Sequence, residues 1–82
     1  MVTLSATGEV RTLNPVDSAK DLGMLVRRLR KAKGFSQQEF ADLAGVGRRF
    51  VSELEAGKGT ISLDKALQVS RALGITVMAR SL

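Results

Sequence analysis

The stretch that most constrains this chain is Ser36 to Lys58, SQQEFADLAGVGRRFVSELEAGK. Ser36 followed three residues later by Glu39 is a capping box, so a helix should begin at Gln37. Phe40, Leu43 and Ala44 give that helix an apolar face at helical spacing. Gly45-Val46-Gly47 breaks it, and Gly45 can take the positive φ of the turn without steric cost. A second helix should start at Arg48, with Phe50, Val51 and Leu54 as its apolar residues and Gly57 as its end. Ala41 falls where the second helix would cross closest, and a larger side chain there would push the two apart.

Two helices crossing steeply over such a short turn form a helix-turn-helix unit. Here the chain resembles the Cro/C1-type (XRE) helix-turn-helix family, over roughly Met24 to Ile75. The resemblance rests on SQQEFA, on the AGVG turn and on the LEAGK ending. It implies an all-α fold, a compact lambda-repressor-like domain of four or five helices. It also implies that Arg30 and Glu55 form a partly buried salt bridge between the first helix and the end of the recognition helix.

The flanking sequence suits that architecture. Ser18 and Asp21 resemble a second capping box, and Leu22, Leu25, Val26 and Leu29 follow at the spacing of a buried helical stripe. Arg27, Arg28, Arg30, Lys31 and Lys33 crowd the C-terminal half of this first helix, where cations favour the helix dipole. Apart from Arg30, they read as a solvated face. Ser62 can cap a fourth helix, with Leu63, Ala66, Leu67 and Leu73 on its apolar side and Ser70 on the same stripe. The expected organisation is an N-terminal arm over 1–17, a helix-turn-helix domain over 18–75, and a C-terminal dimerisation strand over 76–82. The arm reads as frayed, with two alternatives: a short strand, or an arm that reaches DNA through Arg11.

Composition narrows the chemistry. The chain has 82 residues, one domain's length, and a formal net charge of +5. That balance suits a polyanionic partner, nucleic acid before membrane. There is no cysteine and no histidine. Disulfides, a finger-type zinc site and any Ser-His or Cys-His nucleophile pair are therefore excluded. The remaining acids are scattered, so no catalytic residues, no metal and no cofactor are expected. Gly57-Lys58-Gly59 is not a phosphate-binding loop, because it lacks the earlier glycine and the following Ser or Thr. No signal peptide and no membrane span is read, which points to the cytoplasm, with the nucleoid as its place when bound to an operator.

The second helix of a helix-turn-helix lies in the DNA major groove with its N-terminal residues at the base edges. Arg48 and Arg49 sit there, and arginine can place two donors on guanine O6 and N7. Ser52 shares their face and is short enough to meet a base or a phosphate. Glu53 could accept from cytosine N4 or simply pair with Arg49. Gly47 brings the backbone close to DNA. Ser36 and Gln37, at the start of the preceding helix, suit a phosphate contact aided by the helix dipole, and Lys58 suits a second. Phe50 either meets a thymine methyl or packs against the first helix, and packing is the expectation.

The close of the chain, VGRRFVSELEAGKGTISLDKALQVSRALGITVMARSL, resembles the HipB-type antitoxins, including their Y4mF branch. That resemblance implies a homodimer whose C-terminal strands pair across the two-fold axis. It further implies a palindromic double-stranded operator, autorepression of a toxin–antitoxin operon, and a HipA-like serine/threonine kinase toxin as partner. Independently, β-branched alternation after Gly74 reads as a short strand at Thr76, Val77, Met78, Ala79 and Arg80. Two alternatives stand beside this reading. One is a stand-alone or phage-type XRE repressor with no toxin. The other is a protein-interaction module that has lost DNA binding, against which the two arginines, the serine and the glutamine of the recognition face argue.

Overall fold

The computed structural model describes residues 2–4 and 10–82, with side chains from residue 13 onward. Two short strands, β1 (Val2–Leu4) and β2 (Val10–Thr12), pair antiparallel with Thr3 opposite Arg11. Four helices follow: α1 (Ala19–Ala32), α2 (Gln37–Ala44), α3 (Arg48–Glu55) and α4 (Leu63–Ala72). The described domain is thus a small helical one. The N-terminal stretch pairs with itself, so over Val2–Leu4 and Val10–Thr12 the short-strand alternative holds and the frayed arm is corrected. What Arg11 contacts lies outside the described side chains. None of the four helices is long and apolar enough to cross a membrane.

The caps fall where serine and the acids dictate. Ser18 Oγ accepts from the Asp21 amide at 3.2 Å, while the Asp21 carboxylate accepts from the Asp17 amide at 2.9 Å. At α2 the capping box is complete: Ser36 Oγ accepts from the Glu39 amide at 3.0 Å, and Glu39 accepts from the Ser36 amide at 2.9 Å. Ser62 Oγ accepts from the Lys65 amide at 3.2 Å. At the end of α2, Gly45 takes φ of +76°, and the Val46 amide then donates to the Ala41 carbonyl at 3.0 Å. The left-handed conformation lets the chain turn back so that the Ala41 carbonyl accepts from both the Gly45 and the Val46 amides, which closes the helix end.

The core is built from Val26, Phe40, Ala41, Ala44, Val51, Leu54, Ala66, Val69 and Leu73, contributed by all four helices and the residue ending α4. Helices of eight residues, the length of α2 and α3, are marginal alone. They persist because each buries an apolar face. Two expectations are corrected here. Leu43 is exposed, because the buried arc of α2 runs from Phe40 through Ala44 to Ala41 and Leu43 lies outside it. Leu63 is exposed as well, because the apolar groove that it lines with Val16, Leu22 and Ile61 stays open to solvent. Val69 takes the fully buried place on α4, and Leu67 is only half-buried.

Gly23 of α1 sits directly against the backbone of α3. A Cβ built there would lie 2.0 Å from the Leu54 carbonyl oxygen, so no other residue fits without moving α1 off α3. Ser70, fully buried, donates from Oγ to the Ala66 carbonyl at 2.8 Å, which satisfies its hydroxyl inside the core. Residues 75–82 carry no regular secondary structure within the single chain. Ile75 is anchored, its amide donating to the Ser70 carbonyl at 2.9 Å and its side chain resting on the core. Beyond it Val77, Met78 and Leu82 are exposed. The strand expected at Thr76–Arg80 is not formed, for a physical reason: a strand needs a ladder partner, and β1 pairs with β2 instead.

Candidate nucleic-acid interface

The recognition face is set by the phase of α3. Val51 and Leu54 point inward and are fully buried, which turns Arg48, Arg49 and Ser52 outward to solvent. Gly47 precedes the helix in extended conformation and is exposed, with open space where a Cβ would be. Phe50 is half-buried and rests on the core; the Lys65 ammonium of α4 lies 5.9 Å from its ring centroid. Phe50 therefore packs on the core, with a cation from the fourth helix over its ring.

Behind this face stands the Arg30–Glu55 pair. Arg30 Nε donates to one Glu55 oxygen at 2.6 Å and Nη2 to the other at 2.8 Å, a two-pronged fit of guanidinium to carboxylate. Nη1 donates to the Phe35 carbonyl at 2.7 Å. Side-chain exposure is only 8% for Arg30 and 3% for Glu55, so both charges are taken out of water and must be satisfied by each other. The hydrogen bond to Glu55 raises the Arg30 pKa above its already high ordinary value, against the opposing effect of burial. The pair joins α1 to the end of α3 and fixes the recognition helix against the first.

Gln37 completes the cluster. Its Nε2 donates to Glu55 at 3.3 Å, which holds the amide over the end of α3. Arg27, Arg30, Gln37, Ser52, Glu55 and Ala56 line an open polar depression of about 270 Å3 between α1, α2 and α3. Sequence reading singled out Gln37 and Ser52 but set Arg27 among the solvated charges. The signal for Arg27 was its spacing, three residues before Arg30 and hence on the same side of α1. The Ser36 hydroxyl is engaged as a helix cap.

Glu53 sits between two cations. Its Oε1 accepts from Arg49 Nε at 2.9 Å, and its Oε2 lies 3.4 Å from Lys58 Nζ. The Arg49 hydrogen bond, with a smaller contribution from Lys58, holds the Glu53 carboxyl below its usual value. The turn is braced from α4, where Gln68 Nε2 donates to the Ala44 carbonyl at 2.8 Å. Nothing in the spacing of α4 announced that role for Gln68. The α3 face, the polar depression and Lys58 together present a basic surface suited to a nucleic acid, with arginines at the helix start and further polar groups beside them.

Comparison with known proteins agrees with this geometry. The helix-turn-helix family matches residues 26–78. An uncharacterized HTH-type transcriptional regulator, y4mF of Sinorhizobium fredii, is 45% identical over 62 residues, 76% of this chain and 82% of that protein. Among solved structures, HipB in a complex with an O4 20mer superposes with a TM-score of 0.75 at 17% identity, covering 84% of this chain and 97% of that one. The restriction-modification controller protein C.AhdI from Aeromonas hydrophila gives a TM-score of 0.61 at 38% identity, over 71% of this chain and 84% of its own. The chain belongs to the helix-turn-helix family, as a DNA-binding transcriptional regulator of the Cro/C1 (XRE) type with a HipB-like fold.

Proposed function

We propose that this regulator is a sequence-specific repressor that binds a palindromic operator as a homodimer, represses its own toxin–antitoxin operon and neutralises a HipA-like serine/threonine kinase. The observation that carries DNA reading is the exposed row of Arg48, Arg49 and Ser52 on a helix braced from behind by a buried ion pair. Arg48 and Arg49 read base edges. Ser52 meets a base or a phosphate, Ser36, Gln37 and Lys58 serve the phosphates, and Gly47 lets the backbone come close. Arg27 joins the phosphate side through the depression it shares with Gln37 and Ser52.

One helix-turn-helix offers few base contacts, and useful discrimination needs two half-sites, hence a dimer. Residues 76–82, with exposed Val77, Met78 and Leu82, supply the apolar surface for it, and Thr76–Arg80 becomes a strand when a second copy supplies the ladder. On this reading 1–17 is an arm, 18–75 the DNA-binding domain and 76–82 the dimerisation segment, in a bacterial cytoplasmic protein. The antitoxin role is supported by the shared fold with HipB, one of whose structures is a HipA-HipB-O2-O3 complex. A stand-alone or phage-type repressor with no toxin is the second reading, favoured by the higher identity to C.AhdI, a restriction-modification controller.

Selection from random duplexes tests the DNA-reading claim and should recover a two-fold symmetric motif. On that motif Arg48→Ala or Arg49→Ala should each cost about 1–3 kcal/mol and relax one base position. Gln37→Ala should weaken all sequences more evenly. Recovery of no motif sinks the repressor reading. Co-purification with a HipA-like kinase encoded in an adjoining reading frame tests the antitoxin role, and a kinase that fails to bind leaves the stand-alone reading.

A further inference from the structure

Glu53 stands on the recognition face of a helix meant for a polyanion, where a carboxylate repels phosphate. Its two oxygens are engaged by two different cations, Arg49 at 2.9 Å and Lys58 at 3.4 Å. Arg49 is bound through Nε alone, so both Nη groups have no partner among the described residues. Those two groups are a fork that can reach guanine O6 and N7. The Arg49 side chain is 89% exposed and would otherwise sweep through many rotamers. Arg48, one residue earlier, has no carboxylate partner among the described residues.

We infer that Glu53 is a specificity-determining positioning residue: it aims Arg49 by its Nε and withholds Arg49 and Lys58 from phosphates until a matching base edge is present. The inference rests on the DNA-reading function proposed above. On arbitrary duplex, phosphates must compete with Glu53 for the two cations, so binding is weak. On the operator, Arg49 keeps its Nε bond to Glu53 while its outer nitrogens meet guanine, and little competition arises. Lys58 sits where it can release Glu53 for a phosphate once the helix is seated. Pre-aiming also lowers the conformational entropy lost by Arg49 on binding. Glu53 thus acts through Arg49 and Lys58 and touches no base itself.

The test uses the full chain, the duplex recovered by selection with the wild type, and a scrambled duplex of equal length and composition. Glu53→Gln keeps size and helix propensity but removes the charge. Affinity for the scrambled duplex should rise roughly tenfold, and its salt slope should steepen by roughly one to two, as two cations become free to displace counterions. Affinity for the selected duplex should change much less, so that the ratio of the two falls roughly tenfold. Lys58→Gln should have little effect on scrambled-duplex binding in the wild type but reverse about half of the gain, in free energy, in the Glu53→Gln background. Circular dichroism and melting of each variant check that the fold persists. An equal rise on both duplexes would reduce Glu53 to a general charge and overturn the inference. A selective loss on the selected duplex, with the scrambled one unchanged, would show that Glu53 withholds no cation from phosphate and overturn it too. No change on either duplex does the same. A wild type that recovers no motif fails the DNA-reading function itself, which is a different result from any of these.

Discussion

At the scale of single residues, two contacts govern how the recognition helix is held. Gly23 meets the Leu54 carbonyl so closely that Gly23→Ala must separate α1 from α3. Overpacking of this kind costs about 1–3 kcal/mol and more when backbone is the obstacle, so urea denaturation should give a loss of about 3 kcal/mol or the variant should fail to fold. An unchanged midpoint would mean that the helices are further apart than described. The second contact is Arg30–Glu55. Breaking one partner of a buried pair costs about 3–5 kcal/mol because the other charge is stranded. Arg30→Met and Glu55→Gln are each expected in that range, and the double variant should lose much less than their sum. A cycle with no coupling would show that the side chains do not meet.

At the scale of elements, the short helices depend on their ends. The N-terminus of α2 is closed by Ser36 and Glu39, whose carboxylate accepts the Ser36 amide. That hydrogen bond, followed by the one from the Ser36 side chain, lowers the Glu39 pKa below its ordinary value. The sign follows directly. A carboxyl with a depressed folded value contributes stability that is full above the ordinary glutamate value, about 4.3, and is lost as pH falls through the folded value. Thermal melts between about pH 5 and pH 2 should therefore fall more steeply for the wild type than for Glu39→Gln, which keeps a capping-box side chain but cannot titrate. Parallel curves would remove Glu39 from the acid response.

At the scale of the whole molecule, the proposed dimer turns on residues 76–82. A single chain leaves Val77, Met78 and Leu82 uncovered and its last residues without regular pairing. Antiparallel pairing of residues 76–80 with their symmetry mates would meet both needs, as a two-fold axis permits. Deleting residues 76–82 should give a monomer, or a much weaker dimer, that keeps its helix content and loses most operator affinity. Val77→Pro should act in the same direction by removing a ladder donor. Sedimentation at micromolar concentration checks both, and a persistent dimer after deletion would show that the helices alone associate.

What the sequence by itself determined is local. Caps at Ser18, Ser36 and Ser62, glycine stops and the inward phase of Val51 and Leu54 were all legible, because each depends on neighbours within about one helical turn. That phase in turn sets which way Arg48, Arg49 and Ser52 face. Tertiary structure alone decided the rest. Gly23 carried no signal in the sequence, and only the fold sets the Leu54 carbonyl against it. Gln68 had no visible task until α4 crossed the end of α2. Leu43 and Leu63 read as core, yet lie exposed, because periodicity gives the direction of a face and not how far the neighbouring helix extends to cover it. The Arg30–Glu55 contact, 25 residues apart along the chain, followed in the sequence only from a family resemblance, since no local rule brings such distant charges together.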